Sequence, residues 1–132
     1  MLQKMWWWNM HKVMIIGNPN VGKSTLFNSL TKSREHTGNF HGVTVKEKTK
    51  TIIYENKKYE VVDLPGLYSL NTISQEEEVS KNYILNNSGT KLVLTDANSL
   101  RKNLYLCLQL CELGIKFKLL INNYDYFLKK GN

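Results

Sequence analysis

The sequence is poor in the residues that mark several large protein classes. Its 132 positions include only two cysteines, Cys107 and Cys111, and two prolines, Pro19 and Pro65. Two thiols four residues apart cannot build the framework of a small disulfide-rich domain, and such sparse use suits a reducing compartment. There is no internal repeat, low-complexity tract or linker. No apolar run approaches the roughly 18 residues of a membrane span. The opening "MLQKMWWWNMHK" is short and lacks the small-residue cleavage site of a signal peptide. Two readings stand for Trp6, Trp7 and Trp8: an interfacial membrane anchor, or an upstream start read through to Met10. Acidic residues are scarce, 11 against 18 Lys and Arg, which leaves a net charge of +7. Such an excess favours attraction to polyphosphate, nucleic acid or an anionic surface and says nothing of fold. The lysines are spread rather than clustered with aromatics, so no nucleic-acid partner is expected.

What is present is enough for one core: 42% of residues are hydrophobic, in a chain of single-domain length. Strand-like and helix-like segments alternate. "KVMII" (12–16) is a short apolar run of the kind found in a buried parallel strand. "KSTLFNSL" (23–30) has helical spacing, and "TKSREHTGNFHG" (31–42) reads as loop. "VTVKEKTKTIIY" (43–54) and "KYEVVD" (58–63) read as strands joined by a tight turn at "ENKK". Ser74 and Glu77 form a capping box for a helix running to about Leu85. "KLVLTDA" (91–97) and "KFKLLI" (116–121) are further strands. Between them lies a helix that Gly114 stops, with Leu100, Leu104, Cys107, Leu108 and Cys111 expected on one core-facing stripe rather than as a metal-holding thiol pair. The alternation predicts an α/β fold with a mostly parallel sheet and a ligand at the carboxyl ends of its strands.

Three stretches carry chemistry, and a fourth reads the base. Gly17-Asn18-Pro19-Asn20-Val21-Gly22-Lys23-Ser24 fits G-x-x-x-x-G-K-[ST] between a strand and a helix, the context that gives this phosphate loop its meaning. The glycines let backbone N–H groups face phosphate oxygens, and the start of the helix adds partial positive charge. Lys23 is expected at the β- and γ-phosphates, the Ser24 hydroxyl on Mg²⁺, and Thr25 beside them. Asp63-Leu64-Pro65-Gly66 closes a strand, where the carboxylate can hold the Mg²⁺ shell and the glycine N–H can meet a γ-phosphate. Gly42-Val43-Thr44-Val45-Lys46 ends the polar loop, and Thr44 there can close onto Mg²⁺ when a γ-phosphate is present. Asn122-Asn123-Tyr124-Asp125 fits N-x-x-D. The Asp125 carboxylate can accept from guanine's ring N–H and exocyclic amine, a donor pair that adenine lacks. Asn122 is expected to brace the loop. Asn123 stands where N-K-x-D loops carry a long side chain over the base, and its shortness sacrifices some stacking.

Taken together, "GNPNVGKSTLFNSLT", "GVTV", "DLPGLYSL" and "NLYLCLQLCELGI" resemble the cytosolic GTPase domain of the ferrous iron transport protein B (FeoB) family. The resemblance implies a P-loop NTPase fold of the Ras-like GTPase kind, a three-layer sandwich, with GTP or GDP as ligand and Mg²⁺ as cofactor. By position it makes Asn20 the support for a K⁺ ion beside the phosphates, which would neutralise charge as an arginine finger does elsewhere. The catalytic set it implies is Lys23, Asn20, Thr44 and Gly66. Leu67 stands where Ras-like enzymes have a water-positioning glutamine, so intrinsic hydrolysis is expected to be slow. His36 and His41 are expected to be exposed loop residues rather than iron ligands.

The family's domain continues with another strand, a helix and a serine-alanine loop at the base, followed by a helical domain and a membrane pathway for Fe²⁺. Residues 11–132 therefore read as an incomplete domain of this type behind an N-terminal extension (1–10). The last strand is then expected to be a sheet edge beside an uncovered apolar face, both of which invite self-association. The partners implied are guanine nucleotide and the transporter's helical and membrane domains. The location implied is the cytoplasmic face of the inner membrane. An alternative is a truncated, non-catalytic remnant that at most binds guanine nucleotide. A third, resting on the +7 charge alone, is a stand-alone GTPase acting on the ribosome or RNA.

Overall fold

The computed structural model describes residues 10–30 and 33–129. Trp6–Trp8 lie outside the described residues. Six strands form one sheet in the order β2-β3-β4-β1-β5-β6. They are β1 (Met10–Ile16), β2 (Arg34–Asn39), β3 (Lys46–Tyr54), β4 (Lys57–Asp63), β5 (Thr90–Asp96) and β6 (Lys118–Asn122). β1 pairs in parallel with β4 and β5, and β5 with β6, while β2–β3 and β3–β4 are antiparallel. The helices are α1 (Lys23–Ser29), α2 (Gln75–Asn86), α3 (Leu100–Glu112) and α4 (Tyr124–Lys129), with a single 3₁₀ turn at Ala97–Ser99. This is the α/β sandwich with a mostly parallel sheet that the alternation of segments predicts.

Strand alternation divides the core between two faces. Met14, Ile16, Val62 and Val93 face α2 and α3, meeting Ile84, Leu106 and Leu110. Ile15 and Val61 face the other way and receive Phe27 from α1. Lys50 of β3 is also buried on that side, and its Nζ donates to the Phe27 carbonyl at 2.9 Å. A cation at the carboxyl end of α1 is favourably placed for the helix dipole. The Ser74–Glu77 capping box forms as expected. Gly114 stops α3 in a Schellman arrangement, with Ile115 N donating to Leu110 O and Gly114 N to Cys111 O.

Four expectations need correction. The stretch 31–42 is not all loop, since residues 34–39 form β2 against β3. Every β2 residue is exposed, so no apolar alternation marks it. The strand expected from Val43 begins at Lys46, and Glu55 and Asn56, both at positive φ, turn β3 into β4. Met10 belongs to β1 rather than to an extension. The stripe on α3 is rotated: Asn103, Leu106, Cys107 and Leu110 are buried, whereas Leu108 and Cys111 are exposed.

β6 is an edge strand in this sheet, and Leu119, Leu120 and Ile121 are 39–45% exposed. An apolar groove of about 240 Å³ lies beside α1, lined by Leu26, Leu30, Ile52 and Leu92 among others. None of the described helices is long and apolar enough to cross a membrane. The rotated α3 face has a direct consequence. Leu106→Ala is expected to cost about 2–5 kcal/mol in urea unfolding, and Leu108→Ala less than about 0.5 kcal/mol. Equal costs at the two positions would restore the stripe expected from the sequence.

Candidate functional site

Every stretch singled out in the sequence emerges at one end of the sheet. β1 and β4 run in parallel, so Gly17 and Asp63 leave the sheet side by side. The register Lys48↔Asp63 brings the β2–β3 connection to that same end, and Asp96↔Asn122 brings the end of β6 there.

The phosphate loop is held by close contacts that leave no room for a side chain at either of its glycines. A Cβ on Gly17 would lie 2.6 Å from Leu94 O. Gly22 has φ +104, a left-handed conformation that favours glycine, and a Cβ there would collide with Asn122 Nδ2. Asn20 also has positive φ, 67°, which asparagine tolerates. Gly22 occupies the N-cap of α1 and offers no side-chain hydrogen bond. Val21 is buried, Pro19 partly so, and Asn20, Ser24 and Thr25 are exposed.

The second loop docks on the first. Leu64 N donates to Ile15 O at 3.2 Å and Leu67 N to Gly17 O at 2.9 Å. A Cβ on Gly66 would sit 2.5 Å from Pro19 Cγ. Leu64 and Leu67 point into the core, 1% and 0% exposed. Two helices hold the rest of the loop: Ser80 Oγ of α2 donates to Pro65 O at 2.7 Å, and Gln109 Oε1 of α3 accepts from Leu70 N at 2.7 Å.

Lys23 is 8% exposed. Burial pushes its ammonium below the usual lysine range, and Asp63 partly counters this. Asp63 shifts upward, because burial outweighs the pull of Lys23 and Lys48. Asp63 Oδ1 and Asn18 Oδ1 are buried acceptors without a hydrogen-bond partner. Each such orphan costs on the order of 1–3 kcal/mol.

Thr44 is exposed in the β2–β3 connection and makes no hydrogen bond among the described residues. The connection is folded on itself: Phe40 N donates to Val45 O at 2.9 Å, Val43 N donates to Phe40 O, and Gly42 has φ +78. Phe40 packs edge-on against Tyr83, and Val43 and Val45 rest on the core. At the base loop, Asn122 Nδ2 donates to Val21 O at 3.0 Å, and Asn122 Oδ1 accepts from Asn123 N. Asn123 Nδ2 donates to Asp96 Oδ2 at 3.0 Å. The stretch read as loop becomes helical at Tyr124, which opens α4, and Asp125 is exposed in its first turn.

The model of the ferrous iron transport protein B family matches residues 11–132. This chain belongs to that family. The Fe(2+) transporter FeoB of Methanocaldococcus jannaschii is 48% identical over 105 residues, 79% of this chain. The chain spans only 16% of that relative's length. The crystal structure of the G domain of the T. maritima FeoB iron transporter matches with a TM-score of 0.80 at 34% identity, covering 92% of this chain and 82% of that one. A GDP-bound A143S mutant of the S. thermophilus FeoB G-domain matches with a TM-score of 0.80 at 40% identity, covering 92% and 47%.

Within this FeoB frame, sequence reasoning missed Ser80, Gln109, Asp96 and Asn103. The only signal for Ser80 and Asn103 is a polar residue on a core-facing helical position. His36 and His41 are exposed, and the described residues contain no cluster of three His, Cys, Asp or Glu that could hold a metal.

The shifted Asp63 carboxyl predicts a pH effect. Its folded value lies above the ordinary 3.8, so the folded chain holds a proton that the unfolded chain has lost. Stability without nucleotide should therefore fall as pH rises from 3.8 through the raised value. Asp63→Asn should lack this fall and melt no lower than wild type at about pH 7. Parallel melting curves with the same pH slope would show that Asp63 is not strained.

Proposed function

We propose that this chain is the GTP-binding and GTP-hydrolysing module of a ferrous iron transporter, dependent on Mg²⁺ and stimulated by K⁺. The observation that carries this reading is the buried Lys23 facing Asp63, with orphaned acceptors on Asp63 and on Asn18 of the phosphate loop, where that loop and the Asp63–Gly66 loop dock. Buried acceptors with no partner suit a cation, and the buried Lys23 ammonium suits phosphate oxygens, so the residues present fit Mg²⁺ and nucleotide. Ser24, Asp63 and Thr44 would hold the metal. Bound Mg²⁺ would neutralise the charge that builds up on the phosphates during transfer.

Backbone N–H groups of Asn18 and of residues 20–25 cradle the phosphates, Pro19 having none to give, and Lys23 directs its ammonium at the terminal ones. Gly66 N–H meets the γ-phosphate. Residues 42–46 close when Thr44 gains a ligand, which requires the exposed Thr44 to move inward. Asn20, exposed and without a hydrogen-bond partner in the described residues, is the candidate K⁺ support. Asp125 reads guanine while Asn122, Asn123 and Tyr124 shape the loop. Leu67 is wholly buried and cannot position water, so hydrolysis would be slow without a stimulating cation. The helical and membrane parts of the transporter would be supplied by other chain segments at the cytoplasmic face of the membrane. The exposed apolar β6 edge favours a second reading, in which nucleotide is held without turnover until another segment covers that edge.

Phosphate release under multiple turnover separates the two, and should be faster in K⁺ than in Na⁺. Binding without release would favour the second reading. Asn20→Ala should erase the difference between the two salts. Lys23→Ala should weaken GDP binding about 10- to 100-fold, as expected for loss of a charged hydrogen-bond donor. Asp125→Asn should shift preference from GDP toward XDP. Unchanged affinity or unchanged base preference would remove these residues from the site.

A further inference from the structure

Asn123 does something other than cover a base. Its backbone has φ +58, in the left-handed region that asparagine accepts and a lysine accepts at greater cost. Its side-chain amide donates to Asp96 Oδ2 at 3.0 Å. Asp96 is itself fixed on several sides. Its Oδ1 accepts from Asn98 N at 2.8 Å and from Asn98 Nδ2 at 3.2 Å. Its backbone N–H donates to Oδ1 of the buried Asn103 at 2.7 Å. It pairs in register with Asn122 across β5 and β6, and the adjoining Thr95 hydroxyl donates to Leu120 O at 3.1 Å. No Lys or Arg forms a salt bridge with Asp96 among the described residues. Its carboxylate is committed to these N–H donors. Desolvation is the largest single influence and opposes its ionisation, but the hydrogen bonds from Asn98 and Asn123 together outweigh it and hold the carboxyl below its ordinary range.

We propose that Asp96 is a positioning residue for base recognition, acting through Asn123 to fix the segment that presents Asp125 to guanine. The proposal rests on the guanine-nucleotide reading above and extends it. The Asn122–Val21 bond ties the base loop to the phosphate loop, while the Asn123–Asp96 bond ties it to β5. With both ties in place, Asp125, two residues on, has a defined approach to the ring N–H and exocyclic amine. The departure from N-K-x-D at Asn123 then gives the position a different role, in which an amide donor in a left-handed turn replaces a long side chain over the base.

The test is calorimetry with GDP, IDP and ADP on wild type, Asn123→Gly, Asp96→Ala and the double variant, with folding checked by circular dichroism. Glycine accepts the left-handed backbone of residue 123, so its loss of affinity isolates the amide. IDP lacks the exocyclic amine, so the GDP-to-IDP ratio reports how well Asp125 is aimed. Each single variant should lose about tenfold in GDP affinity, the equivalent of one charged hydrogen bond, and the GDP-to-IDP ratio should fall. The double variant should lose no more than either single one, and Asp96→Asn, which keeps an acceptor oxygen, should recover part of the loss. Wild-type binding of GDP with unchanged affinity and ratio in Asn123→Gly would overturn the inference and leave the broader reading intact. Additive losses in the double variant would also overturn it. Wild type that does not prefer GDP to ADP would overturn both. Should Asp96→Ala not fold, Asn123→Gly and Asp96→Asn decide the matter alone.

Discussion

Three glycines let neighbouring segments pack tightly against the backbone at the carboxyl end of the sheet, and the rest of the site depends on that closeness. Gly17 lies under the Leu94 carbonyl, Gly22 under the Asn122 amide, and Gly66 against the Pro19 ring. At each point a single added carbon has no space. These contacts bring together segments that are 47, 77 and 100 residues apart in sequence. The leucines of the second loop point inward to anchor it, which leaves the backbone and Asp63 for the site. Ser80 and Gln109 then fasten that loop to two helices, so a change at the site would be felt at α2 and α3.

The same closeness has a cost in stability. A buried ammonium, the Asp63 carboxylate shifted upward by burial with one oxygen unpartnered, and the unpartnered Asn18 Oδ1 are unfavourable features for a chain to fold around. A domain's net stability is only about 5–15 kcal/mol, so a few such groups matter. A ligand that satisfies them would stabilise the fold by binding it alone. Strain of this kind is a physical reason to regard this end of the sheet as a place for chemistry rather than for packing.

Much of this is legible in the sequence because the informative residues have narrow geometric roles. Glycine at positions 17, 22 and 66, the Ser74–Glu77 box and the Gly114 stop each require one local conformation. What the sequence hides depends on tertiary context. β2 carries no apolar alternation because all six of its residues are exposed, and only pairing with β3 makes it a strand. In α3, leucines and cysteines surround much of the helix, so the period alone does not choose the buried face. The face chosen includes Asn103, whose amide is needed by the backbone of Asp96. From sequence, Asn123 reads as a weakened base contact, because its turn conformation and its partner Asp96 are invisible without the register of β5 and β6.

The central claim is that the described loops form a guanine-selective nucleotide site. Calorimetric titration of the purified chain with GDP, and separately with ADP, in Mg²⁺ buffer tests it most directly. GDP is expected to fill one saturable site, with no comparable heat from ADP. Equal binding of both, or binding of neither by a chain with native helix and strand content, would contradict it.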